Sequence, residues 1–422
     1  MLVEFRVKNF RSLRDEQVLS LMASTDKTLL DTHAFNTDLK AIPHLLKSAV
    51  VYGANASGKS NLIKALQYMR AVVLESAALQ PRQTSELLQP FKLDATSSDL
   101  PTEFEVTFII DGVRYQYGFA MTAQKIISEH LLVYKAFKPQ RWFERRFNIE
   151  SCKSVYEFGP SLKGTKNLWE GATRSNALFL SVAAQLNSEA LRPVFDWFAN
   201  QLVIFNEHSP LSPQFSIQLL KQEEQRKVIC DFLKAADISI ENIEVATRQA
   251  MIHTVHFDLT TGKREEIAGE QAMDVDEVKF YHNTKYGKAV FDLMDESSGT
   301  RNLLFLIGPI LDILNNGITL VVDELDTSLH TLLVQELVRL FYKSRNGAQI
   351  IFSTHDTSLL DAYGLFRRDQ IWFIEKHIDQ SSSLYPLLDF SPRKNEALER
   401  GYLQGRYGAL PFLRTQDLGV NH

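Results

Sequence analysis

The sequence predicts an α/β protein in which a mostly parallel sheet is covered by helices and the chain is interrupted by an inserted α+β region. Three observations carry that prediction. A short apolar strand, Ser48 to Tyr52, runs into a glycine-rich turn and then into a helical stretch from about Lys59 to Leu74. From about residue 297 onward helix and buried strand alternate, the pattern of parallel strands joined by helical crossovers. Between these ends, residues 95–290 mix alternating apolar runs and tight turns with helical spacing.

Taken in order, residues 2–9 and about 16–22 read as short strands around the polar turn Arg11 to Asp15. After the helix at Lys59 comes a polar linker with Pro81, Ser85, Ser97 and Ser98. EFEVTFIIDGVRYQYGFAM then places two alternating runs around Asp111-Gly112, a strong hairpin signal. Residues of about 174–201 and 217–235 have helical spacing, and 251–292 return to strands with charged turns such as Thr261-Gly262-Lys263. The closing series is helix (Asn302 to Leu314), strand (Ile318 to Val322), helix (Ser328 to Tyr342), strand (Gln349 to Phe352), helix and strand (Gln370 to Ile374). Three segments follow: 1–94 as the first part of the core, 95–290 as an insertion for dimerisation or for partner or nucleic-acid contact, and 291–422 as the rest of the core.

Bulk composition narrows the class. With 422 residues, 45% hydrophobic and 23% charged, the chain has material for a large buried core. Cys152 and Cys230 stand far apart with no CxxC pair, which argues against a disulfide framework or a cysteine zinc site. A net charge of −5 gives no whole-chain footprint for nucleic acid, although a local basic patch remains compatible with it. The N-terminal MLVEFRVKNF lacks the apolar core of a secretory signal. The apolar run Leu303 to Leu314 is broken by Gly308, Pro309 and Asp312 and is too short to span a bilayer. The expectation is a cytoplasmic protein without membrane contact.

The strongest local signal is Gly53-Ala54-Asn55-Ala56-Ser57-Gly58-Lys59-Ser60, which fits G-x-x-x-x-G-K-[ST] between a strand and a helix, as a Walker A loop requires. Its glycines let backbone N–H groups turn inward on phosphates at a helix N-terminus; Lys59 can reach the β and γ phosphates and the Ser60 hydroxyl can ligate Mg²⁺. Gly53, Asn55, Ala56, Ser57, Gly58, Lys59, Ser60 and the adjoining Asn61 are therefore the nucleotide-binding candidates. ITLVVDEL supplies the acidic strand end such a loop needs, with Asp323 placed for the metal and Glu324 for polarising an attacking water. His355, in IIFSTHD, follows another buried strand 32 residues past Asp323 and is positioned to touch the γ phosphate or the water. Each element has a plainer alternative: a glycine-rich turn, two acids capping a strand, a satisfied structural histidine. Their shared order favours ATP with Mg²⁺, with Glu324 and His355 catalytic and Ser60 and Asp323 on the metal.

That order, with Glu296-Ser297-Ser298-Gly299-Thr300 before the acidic strand and Leu325-Asp326-Thr327-Ser328 after it, resembles the ABC ATPases, and Asn9-Phe10-Arg11-Ser12 looks like the opening of SMC and RecF-type heads. The resemblance implies a P-loop NTPase of ABC/SMC-head type. It also implies that Ser297 and Gly299 of one subunit contact the γ phosphate held by another, and that Arg11 joins the nucleotide site. The signature departs from LSGGQ at Glu296, Ser298 and Thr300, and read alone it is a helix N-cap. Gln89 in LLQPFKL is the candidate for the Q-loop residue. Together with Pro90-Phe91-Lys92-Leu93, SSGTRNLL and the tail Gly405 to Phe412, these features look like the RloA and AbiL-type ATPases, related to the OLD-family ATPase domain. This likeness implies a switch or sensor subunit of an anti-phage system that forms a homodimer or larger homo-oligomer around ATP, responds to DNA or a phage protein, and controls an operon-encoded TOPRIM-type nuclease. The alternative is a RecF- or SMC-like DNA-binding ATPase in repair or chromosome maintenance.

Two further segments bear on that choice. Lys135, Lys138, Arg141, Arg145 and Arg146, interleaved with Phe137, Trp142, Phe143 and Phe147, form a basic aromatic run that reads either as a nucleic-acid or partner surface or as an amphipathic strand pair. Asp274-Val275-Asp276 is the sole D-x-D of the kind a TOPRIM site needs, and its acidic surroundings read as a solvated loop.

Overall fold

The computed structural model describes residues 1–80, 88–205, 213–235, 240–257, 264–327, 329–393 and 396–410, with backbone alone at 235, 250–257 and 264–273. Two compact units form: Met1–His208 together with Ile313–His422, and Ser209–Asp312. The divisions expected after 94 and after 290 are therefore replaced. Residues 102–205 join the first unit because the strands of 102–158 extend the sheet begun by the N-terminus and 202–205 add a strand to the unit's second sheet.

In the first unit, β1 (Leu2–Lys8) and β2 (Gln17–Ser20) lead through the one-turn helix α1 (Leu30–His33) and the hairpin β3 (Ala34–Leu39) and β4 (Ile42–Leu46) to β5 (Ser48–Tyr52) and α2 (Lys59–Glu75). A meander follows: β6 (Thr102–Ile110), β7 (Val113–Met121), β8 (Ile126–Tyr134), β9 (Gln140–Asn148) and β10 (Lys153–Phe158). Its antiparallel sheet has the order β10-β9-β8-β7-β6-β1-β2, with Val7 opposite Phe104. Alternation puts Phe5, Val7, Phe104, Val106 and Phe108 inside against Leu62, Leu66 and Met69 of α2. The turn between β6 and β7 is the predicted one, with positive φ at both Asp111 and Gly112 (47° and 74°), as a two-residue hairpin requires.

The helical region expected at 174–201 breaks into α4 (Phe179–Gln185) and α5 (Arg192–Asn200), preceded by α3 (Lys166–Ala172). After α5 comes β11 (Leu202–Phe205), a strand the spacing did not reveal. It is four residues long and pairs in parallel with a strand more than a hundred residues downstream.

Arg145 settles the basic run on β9. It is 1% exposed, donates from Nη1 to Ala177 O at 2.6 Å and lies 3.6 Å from the fully buried Glu129. Burial pushes the Glu129 carboxyl up, opposed by Arg145 and by the N–H groups of Leu180 and Phe179. Trp142 and Phe143 are core, and Arg141 and Arg146 pair with Glu144. β9 is thus an amphipathic strand whose central cation ties the sheet to the turn before α4, so the strand presents no continuous basic face.

In the second unit, α6 (Pro213–Leu220) and α7 (Glu223–Ala235) accompany the long antiparallel strands β12 (Ile240–Phe257), β13 (Arg264–Thr284) and β14 (Gly287–Asp292), then α8 (Ser298–Asn316). Asp274-Val275-Asp276 lies on β13 rather than in a loop, and Asp276 is engaged by Lys221 and Thr247. The turn at 261–263 lies outside the described residues. Pro309 interrupts α8, and the carbonyl four residues earlier, Phe305 O, accepts from Ser216 Oγ at 3.4 Å instead. Gly308 permits that approach, since a Cβ there would collide with Ser216.

The chain then returns to the first unit with β15 (Thr319–Val322), α9 (Thr331–Lys343), β16 (Gln349–Ser353), β17 (Ile371–Lys376), β18 (Ser382–Pro386) and α10 (Leu398–Leu403). These complete the second sheet, ordered β11-β15-β16-β5-β17-β18, parallel throughout except for β18. Its central strands β5 and β16 are buried at every position, as expected of strands covered on both faces. The helix expected after Phe352 is only a 3₁₀ turn, Thr357–Asp361, and α9 starts later than expected, at Thr331, capped by the His330 side chain. Ser328 itself lies outside the described residues. Among the described residues no helix is long and apolar enough to cross a membrane.

Candidate functional site

The chain between β5 and α2 turns sharply because two residues adopt positive φ, Ala56 at 60° and Gly58 at 117°. Gly58 caps α2, and the space a Cβ would occupy there is filled by the hydroxyls of Ser382 and Ser12. Those hydroxyls brace the loop. Ser382 Oγ donates to Ser57 O (2.5 Å) and accepts from Ser12 Oγ (2.9 Å), and Asn61 Nδ2 donates to Ser12 Oγ (2.8 Å). At the other end, Gly53 packs so closely on Ile374 of β17 that any side chain would strike its carbonyl.

Lys59 points back over this loop, with Nζ donating to Gly53 O (2.8 Å) and Ala54 O (3.1 Å). Burial lowers its pKa to about 8, and the carboxylates of Glu324, Asp323 and Asp326 only partly offset that. A phosphate anion beside this ammonium stabilises the charged form, so nucleotide binding takes up a proton wherever free Lys59 is partly neutral. By linkage, affinity for ATP is then constant below about pH 8 and falls as pH rises above it, by up to about tenfold per unit. Calorimetry at pH 8.5 in buffers of different ionisation enthalpy tests this. The expected result is proton uptake, absent in Lys59→Arg; affinity flat from pH 7 to 9.5 would refute it.

Facing the loop, β15 ends at Val322 and Asp323 and Glu324 follow. Ser353, the last residue of β16, binds both: its Oγ donates to Asp323 Oδ1 (2.7 Å) and accepts from the Glu324 N–H (2.8 Å). Leu325 N also donates to Ser353 O at 3.1 Å. These contacts hold Glu324 in the left-handed region, φ 53°, a conformation costing of order 1 kcal/mol that aims its carboxylate away from the strand. His355 Nε2 lies 3.6 Å from Glu324 Oε1, and the His355 N–H donates to the Asp326 carboxylate at 3.2 Å.

Asn55, Ala56, Ser57, Gly58, Lys59, Ser60, Asn61, Glu324 and His355 converge on one cleft of about 540 Å³, with Ser12 and Lys376 completing its lining. Asp323 stands just behind Glu324, and Gly53 under the loop. Arg11 is not in this lining: its N–H donates to Gln89 O at 2.7 Å and its guanidinium lies over the Phe10 ring, so its neighbour Ser12 is the residue that reaches the loop. Among the described residues, the hydrogen bond Gln89 makes is through that carbonyl. Ser297 and Gly299 belong to the second unit, where Ser297 Oγ accepts from the Thr300 N–H (3.0 Å) as the N-cap of α8. Glu296 pairs there with His282 at 2.6 Å, which explains a glutamate where LSGGQ has leucine. Ser12, Ser353, Asp326, Ser382 and Lys376 were not singled out as site residues; the strand-end positions of Ser353 and Lys376 beside the motif strands were the available signal.

The residues fit a nucleotide triphosphate with Mg²⁺. Ser57 Oγ is buried with no hydrogen-bond partner among the described residues, the loop forms a cradle with Lys59 across it, and the Ser60 hydroxyl and the Asp323 carboxylate are the hard oxygen donors Mg²⁺ takes. Sheet, loop and acidic strand end define a P-loop nucleotide-binding domain. The chain belongs to the family described as "AAA domain, putative AbiEii toxin, Type IV TA system", which matches residues 48–361.

Solved structures with a similar fold include the SMC head domain from Thermotoga maritima (15% identity, TM-score 0.40, covering 91% of this chain and 98% of that one). An SmcHead bound to the C-winged helix domain of ScpA matches at 16% identity and TM-score 0.41, covering 91% and 96%. A Smc head with an extended coiled coil bound to the C-terminal domain of ScpA, derived from Pyrococcus furiosus, matches at 12% and 0.39, covering 92% and 97%. No curated protein matches the chain.

Proposed function

We propose that this chain binds and hydrolyses ATP and acts as the switch subunit of an anti-phage system, closing into a dimer around ATP and controlling a nuclease carried by a partner. The observation supporting it most is the cleft in which a braced phosphate loop faces Glu324 and His355. Ser60 and Asp323 would hold the metal, which would neutralise phosphate charge; Ser353 keeps Asp323 in place. Lys59 exchanges its two loop carbonyls for phosphate oxygens. Glu324 orients the attacking water and accepts its proton as the new P–O bond forms and the bond to the ADP oxygen breaks. His355, held by Asp326, steadies the Glu324 carboxylate.

The RloA and AbiL-type likeness and the AbiEii-type family support the defence reading. A partner nuclease fits the engagement of Asp276 by Lys221 and Thr247, which leaves the D-x-D without a free metal-binding pair. The burial of Arg145 argues against 135–147 as a DNA surface.

Dimerisation rests on Ser297 and Gly299 completing the site of a second copy. Among the described residues a Cβ placed on Gly299 would meet only the Ser297 hydroxyl, at 3.7 Å, so the start of α8 is open to the close approach of a phosphate. Sedimentation of Glu324→Gln saturated with ATP and Mg²⁺ tests the reading. The expected result is a dimer that Gly299→Glu abolishes; a monomer with ATP fully bound would rule the switch out.

A further inference from the structure

The cleft contains a cation that the chemistry above does not use. Lys376, the last residue of β17, lines it, and two strand registers place it there. β17 runs parallel to β5 with Phe373 opposite Tyr52, so it continues beside the loop where β5 gives way to it. Ile374 packs under Gly53, and by strand alternation Lys376 shares its face, while Glu375 turns to the other face to accept from Tyr385 OH at 3.2 Å. On its far edge β17 pairs with β18, Lys376 opposite Ser382, whose hydroxyl holds Ser57 O. The backbone at 376 is thereby anchored to both ends of the phosphate loop.

Lys376 is half-buried, yet among the described residues its ammonium has no hydrogen bond or ion pair. Lys59, by contrast, is held by two carbonyls. The sheet order decides which part of a ligand each reaches. β16 and β17 flank β5 on opposite sides, with Ser353 and His355 at the end of β16 and Lys376 at the end of β17. Hydrolytic groups and Lys376 therefore approach the loop from opposite directions.

We propose that Lys376 is a second phosphate-binding cation, holding the part of the nucleotide's phosphate chain remote from the attacked phosphorus and gripping ATP and ADP alike. It is an affinity residue, and Glu324 and His355 act without it. The inference rests on the reading of the cleft as an ATP site, and the experiment separates the two. ATP and ADP binding and saturated turnover are measured for the wild-type chain, Lys376→Ala and Lys376→Arg, with thermal unfolding of each in the absence of nucleotide. Lys376→Ala is expected to weaken both nucleotides about tenfold, the size of one charge-assisted hydrogen bond, and Lys376→Arg to restore most of that. Saturated turnover is expected to stay within about twofold. Wild-type binding with unchanged affinity in Lys376→Ala overturns the proposal, as does a loss confined to ATP or to turnover. Failure of arginine to rescue assigns the effect to packing and overturns it too. If the wild-type chain binds no ATP, the reading of the cleft fails first and the proposal falls with it.

Discussion

Glu324→Gln is expected to bind ATP as tightly as the wild type and to hydrolyse it about 10²- to 10⁴-fold more slowly, the usual contribution of a positioned general base. The amide has nearly the shape of the carboxylate, so the contacts that fix the position survive: the Glu324 N–H still donates to Ser353 Oγ, and the left-handed backbone is unchanged. Lost are the acceptor for the water's proton and the negative charge near His355. Single-turnover hydrolysis beside equilibrium binding separates these effects. Equal losses in binding and turnover would show that Glu324 holds the nucleotide instead of acting on water. Turnover at the wild-type rate would move the base elsewhere.

Lys59→Ala is expected to weaken ATP binding by more than about a hundredfold, since charge-assisted contacts to phosphate are among the strongest hydrogen bonds in proteins. The same change removes the two bonds by which Nζ gathers Gly53 O and Ala54 O, so the loop loses an internal clamp as well as a ligand. Thermal unfolding without nucleotide distinguishes a loosened loop from a collapsed fold, because the hydroxyls of Ser12 and Ser382 still brace the other end. In cells carrying the chain with the proposed nuclease partner, loss of phage protection is the expected result; full protection with ATP binding abolished would sever the proposed switch from nucleotide.

The phosphate loop and the acidic strand end of the candidate site were legible because each is compressed into a short segment. Gly53 to Ser60 spans one turn and one helix start, and Asp323 and Glu324 adjoin a strand, so spacing alone assembled them. Residues acting across long separations were not legible. Ser353 joins Asp323 to the neighbouring strand through pairing, and nothing in IIFSTHD distinguishes that serine from a filler. The resemblance points to Arg11, yet its neighbour Ser12 is the residue that lines the cleft. The insertion was misplaced for a related reason. The turns of 102–158 announce a meander, but its attachment to β1 depends on a register more than ninety residues apart, which local periodicity does not record. Likewise Arg145 looked like a surface cation because its partner Glu129 and the carbonyl of Ala177 come from other strands and turns.

The brace between Ser382 and the phosphate loop sets an order of events during synthesis. Ser57 is made early, and the hydroxyl that holds its carbonyl comes 325 residues later, after β16 and β17 have supplied the strands that flank β5. A ribosome-bound chain therefore has the Walker A sequence for most of its translation without the surroundings that give the loop its shape. The brace itself exists only once the β17–β18 hairpin lies beside residues 12 and 57.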